Sequence, residues 1–96
     1  MITYIKQPDY HIAYELEGGE MMLHCEVENF SLSVFKEIRE NFHDIRKTAF
    51  DAGLDSVYAY TQNVRFCKAL MDCAVIGEVK HVGKDYSIVE WKLLED

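Results

Sequence analysis

The feature that most limits what this chain can fold into is a change of hydrophobic period between Val27 and Leu32. Upstream, HIAYELE (residues 11–17) sets Ile12, Tyr14 and Leu16 against His11, Ala13, Glu15 and Glu17. EMMLHCEVEN (20–29) repeats the alternation, with Met21, Leu23, Cys25 and Val27 inward and Met22, His24, Glu26 and Glu28 outward. Successive strand side chains point to opposite faces, so a period of two predicts half-buried strands. Gly18-Gly19 supplies the positive φ of a tight hairpin between them.

Downstream, Phe35, Ile38, Phe42, Ile45 and Ala49 recur at steps of three and four, the stripe of an amphipathic helix over 32–52. Ser31 or Ser33 caps its start, and Gly53 stands where a left-handed C-terminal cap belongs. Residues 54–61, LDSVYAYT, are rich in β-formers, and a strand reached through a helix pairs in parallel with the one before it. Thr61 is the expected cap of a shorter helix over 62–73, with Phe66, Cys67, Leu70 and Met71 inward. Strands over 75–82 and 86–93 then flank a turn at Gly83-Lys84-Asp85. The expected order is ββαβαββ, a single α+β domain over residues 1–96 with a mixed sheet and two helices.

Ninety-six residues suit one core. No apolar run approaches the roughly 18–20 residues of a membrane span, and MITYIKQPDY lacks the charged-then-apolar order of a signal peptide. A soluble, cytoplasmic protein is the expectation. The net charge of −7 disfavours nucleic acid and anionic membranes. Its distribution is uneven: between Gln7 and Phe35 stand Asp9, Glu15, Glu17, Glu20, Glu26 and Glu28, with no Lys or Arg.

Cys25, Cys67 and Cys73 form no metal-type pair and are expected as buried thiols. His24 and Cys25 face opposite sides of a strand and cannot share a metal, so no metal site is expected among His11, His24, His43 and His81. Tyr58, Tyr60, Tyr86 and Trp91 lie on predicted strands. A stacking platform for single strands needs surrounding positive charge, which this balance does not supply, so packing is the expected role.

The text LDSVYAYTQNVRFCKAL followed by VIGEVKHVGKDYSIVEWKL resembles the second half of a GNAT-superfamily N-acetyltransferase domain, in which a strand, an Asn at a helix start and a closing hairpin follow in turn. Asn63 matches that Asn, and Arg65-Phe66 is similar to a pair in short acetyltransferase-like bacteriophage proteins. The resemblance implies a minimal GNAT-like fold and, where the chemistry persists, acetyl-coenzyme A. Two family features are replaced. The pyrophosphate loop Q/R-x-x-G-x-G/A corresponds here to Glu28-Asn29-Phe30-Ser31-Leu32-Ser33, with no glycine and no base, and the acid Tyr seven residues past the Asn is Leu70.

Two functions follow. In the first, the protein is a non-catalytic interaction protein, phage-encoded by analogy and acting in the host cytoplasm. It binds a basic protein partner through Glu15, Glu17, Glu20, Met22, Glu26 and Glu28, and a homodimer covers an open sheet edge. In the second, it is a divergent acetyl-coenzyme A-dependent N-acetyltransferase. There the amides of Phe30 to Val34, the hydroxyls of Ser31 and Ser33, and Asn63 hold the cofactor, and Glu26 or Glu28 is the general base.

Overall fold

The structure is a computed structural model and describes residues 1–93. Six strands and two helices follow in the order β1 (Ile2–Lys6), β2 (Tyr10–Glu17), β3 (Glu20–Val27), α1 (Leu32–Asp51), β4 (Ser56–Thr61), α2 (Val64–Leu70), β5 (Ala74–His81) and β6 (Lys84–Lys92). The expected ββαβαββ order therefore omits one strand, β1. Its signal is weak for a physical reason: it is short, mostly exposed on both faces, and broken by a register shift between Thr3 and Ile5.

All six strands join one sheet in the order β1-β2-β3-β4-β6-β5. Among paired neighbours only β3 and β4 run parallel, joined by the α1 crossover; β5, reached through α2, runs in the same direction as β4 too, but β6 lies between them. The β2–β3 turn is Gly18-Gly19, with Glu17 opposite Glu20 and φ of 61° and 82°. The β5–β6 turn is the two residues Val82-Gly83, not the expected Gly83-Lys84-Asp85; Lys84 already pairs with His81.

Register brings Ile12, Leu23, Val57, Ala59, Val89 and Trp91 to one face, where they form a single core with Val34, Ile38, Phe42, Ile45 and Ala49 of α1 and Cys67 and Leu70 of α2. Each fully buried Val, Leu, Ile or Phe among them contributes about 1.5–3 kcal/mol. Trp91 is the centrepiece: its ring lies 4.8 Å from that of Phe42, and its Nε1 donates to the carbonyls of Met71 and Cys67 at the end of α2. Tyr10 fastens β2 to α1, donating from its hydroxyl to Glu37 and accepting from Asn41 Nδ2.

Several expected positions move. Val34, not Phe35, leads the buried stripe of α1. Leu16 is 58% exposed, lining an open, mostly apolar groove with Ala49 of α1 and Ala52 just after it. Ala13, expected outward, is buried because β1 lies beside it, with Thr3 directly opposite. Of the three cysteines only Cys67 is buried; Cys73 is half-buried and Cys25 exposed.

Candidate functional site

Two concavities follow from this topology. The first arises where β3 and β4 part. Their ladder pairs Met21, Met22 and Leu23 with Val57, Tyr58 and Ala59 and then ends, while β3 continues to Val27 and β4 to Thr61. A slot of 60 Å³ opens in the wedge, lined by Leu23, Cys25, Ala59, Phe66, Cys67 and Trp91 among others. Cys25 is exposed as a residue, yet its thiol borders this slot; burial, then the neighbouring Cys67, pushes its pKa up to about 11. The thiol is thus a poor nucleophile at neutral pH.

The start of α1 stands near this wedge. Ser31 caps the helix, its hydroxyl accepting from the Val34 amide at 3.1 Å, and it also bonds Ser33 Oγ at 3.1 Å. Of the amides expected to face a phosphate, that of Val34 is therefore already engaged. The loop before it is tied down: the amides of Glu28 and Asn29 both donate to the Asp9 carbonyl, and Asn29 Nδ2 donates to the Asp9 carboxylate. Asn63, not Thr61, caps α2, its Oδ1 accepting from Phe66 N at 3.0 Å, while Thr61 Oγ1 accepts from Asn63 N. Phe30 packs against Phe35 and Phe66 in an aromatic trio, with Arg39 over the Phe35 ring, while Ser31, Leu32 and Ser33 at the helix start stay exposed.

The second concavity lies at the turn end of the β2–β3 hairpin, on the sheet face opposite the helices. Glu15, Glu17, Glu20, Met21, Met22, His24 and Tyr60 line a depression of 260 Å³. Among the residues lining the depression the basic side chain is His24, whose Nε2 lies 3.4 Å from Glu15 Oε2 in an exposed contact. Exposed pairs of this kind contribute little, so the depression keeps its anionic character. Beside it, Glu90 accepts from both Ser56 Oγ at 2.8 Å and Tyr58 OH at 3.1 Å. Burial first, and then Glu90, holds the Tyr58 phenol above its usual range, so it remains a neutral donor.

The structure thus gathers Glu15, Glu17, Glu20 and Met22 and separates them from Glu26 and Glu28. Seven steps of about 3.4 Å put the two ends of β3, Glu20 and Val27, roughly 24 Å apart. Glu26 sits opposite His11, and Glu28 lies past the strand end. Tyr60, His24 and Glu90 were not singled out from the sequence as members of this surface. Two of them carry a sequence signal: alternation sets His24 outward with Met22, and sets Tyr60 opposite in sense to Ala59, toward the uncovered face.

Among the described residues no helix is long and apolar enough to cross a membrane, and no group of three or more His, Cys, Asp or Glu is placed to hold a metal. Comparison with protein-family models, with curated proteins and with solved structures gives no match to this chain.

Proposed function

We propose that this chain is a non-catalytic interaction protein with a minimal GNAT-like architecture, and that its β2–β3 hairpin docks a basic protein partner. The phage origin and host-cytoplasm setting belong to the same reading and rest on the Arg65-Phe66 resemblance. The observation that carries the docking role is the depression among Glu15, Glu17 and Glu20, floored by Met22 and Tyr60 on a sheet face that no described helix covers. Carboxylates steer a cationic partner, while Met and Tyr supply adaptable apolar contact for the methylenes of Lys or Arg. Glu26 and Glu28 extend the field rather than the contact.

The test is affinity capture from the native source with the wild type and with a Glu15→Lys/Glu17→Lys/Glu20→Lys variant. A basic partner held by the wild type at low salt, released as salt screens the charges and absent from the variant, is the expected result. An identical catch from both proteins removes the proposal.

A second reading has one observation in its favour. The parting of β3 from β4 leaves unpaired strand edges, partners for the amides of an extended thioester arm such as that of acetyl-coenzyme A, beside a slot whose 60 Å³ takes only a small acyl end. Against it stand the absence of glycine and base at Glu28–Ser33 and the engaged cap of Ser31. Titration calorimetry with acetyl-coenzyme A separates the two: saturable micromolar binding that Cys25→Trp abolishes by filling the slot establishes the cofactor reading instead.

A further inference from the structure

β5 is the last strand of the sheet, so one of its edges has no partner among the described residues. Its straight part is short and well bounded. A register shift interrupts it between Val75 and Gly77, and the turn at Val82-Gly83 ends it, leaving Gly77 to His81 with Val79 at the centre. His81 and Lys84 flank a two-residue turn and form a mutually bonded pair. Bonded and non-bonded pairs alternate along an antiparallel ladder, so Val79 bonds Tyr86, and Glu78 and Lys80 aim their N–H and C=O groups away from β6.

We propose that two copies of this chain pair antiparallel along the free edge of β5, with Glu78 of each opposite Lys80 of the other. A two-fold axis through Val79 makes Glu78–Lys80 a bonded pair on both sides of it, which satisfies every outward backbone group of these residues. The same register sets each exposed carboxylate against an ammonium, twice. Sliding the copies by one repeat in either direction instead faces Glu78 with Glu78 or Lys80 with Lys80, so charge selects this register.

A lysine on an edge strand ordinarily wards off pairing, because its charge resists burial beside another strand. Here the second copy supplies the counter-charge. Within one copy, among the described residues, Lys80 makes only an exposed 3.8 Å contact with Asp85, which leaves it able to bridge. The apolar residues at the ends of the stretch fit the same arrangement. Ile76 is 52% and Val82 85% exposed, and the two-fold axis brings Ile76 of one copy to the Val82 turn of the other. The opposite edge offers no equal: β1 has five residues, broken by its own register shift. This inference does not depend on the docking role of β2–β3, which is a different surface.

Sedimentation equilibrium of the full chain over micromolar to millimolar concentration tests it. The wild type is expected to approach twice the 11.2 kDa chain mass. Glu78→Lys, which faces two Lys80 side chains with like charge, is expected to raise the dissociation constant by about tenfold or more. The charge swap Glu78→Lys/Lys80→Glu restores complementarity and is expected to restore the dimer. A wild type that stays at the chain mass, a dimer indifferent to Glu78→Lys, or a charge swap that stays dissociated each overturns the proposal; circular dichroism of each variant verifies that the fold is kept.

Discussion

The two long hairpins solve the same problem with different residues. Both join eight- or nine-residue strands through two-residue turns that need positive φ, but β2–β3 uses Gly18-Gly19 and β5–β6 uses Val82-Gly83. Glycine adopts that region freely, whereas Val82, at φ 51°, holds a β-branched residue there. The first hairpin lies inside the sheet beneath α1, buries Ile12, Met21 and Leu23, and presents carboxylates on its other face. The second carries the sheet edge and leaves Val75, Ile76 and Val82 exposed. A strained turn with an exposed apolar side chain contributes little to the fold of one copy, so the contrast separates residues that build the domain from residues available for association.

Core substitutions test that contrast most strongly. Ile12→Ala is expected to lower unfolding free energy by about 2–5 kcal/mol in urea titrations, and Ile76→Ala by less than about 0.5 kcal/mol when both are measured in the Glu78→Lys background. Comparable losses at the two positions mean that β5 is as integral to the core as β2. The turns come next. Gly18→Val is expected to destabilise by about 1–2 kcal/mol, whereas Val82→Asn is expected to stabilise by about 0.5–1 kcal/mol, since Asn tolerates the left-handed region. A neutral Val82→Asn removes the claim of strain.

At neutral pH the ionisation of buried groups has the smallest effect, and it emerges only as pH rises, first of all at Cys25 in the first hairpin. Cys25 has a folded pKa of about 11 against an ordinary 9.0, a rise caused mainly by burial. Below pH 9 the thiol is protonated in both states, so its contribution is fully present there. As pH rises through 11 the unfolded chain ionises more readily and stability is lost. Tyr10, Tyr58, Cys67 and Cys73 are displaced in the same direction, again chiefly by burial, and deepen the alkaline fall. Chemical denaturation at neutral and alkaline pH is expected to show a shallower decline in Cys25→Ser than in the wild type.

The acidic depression was legible in part. Glu15, Glu17, Glu20 and Met22 were readable from alternation and charge, because a strand period assigns a side chain to a face without knowledge of neighbours. His24 was readable in the same way, whereas Tyr60 and, beside the depression, Glu90 come near them only through register across β3, β4 and β6, which local sequence does not encode. At the helix start, Ser31 was readable as a cap, but that capping engages the Val34 amide required direct geometry.

The sequence by itself determined the two hairpins, the long helix and the parallel step between β3 and β4, since period, turn glycines and crossover length are local properties of the chain. Tertiary structure alone decided that β1 joins the sheet, that β3 and β4 part after Leu23 and Ala59, and that β5 rather than β6 lies at the edge. These depend on which strands meet, and strand pairing is fixed by contacts between residues far apart in sequence, where burial of a shared core outweighs local preference.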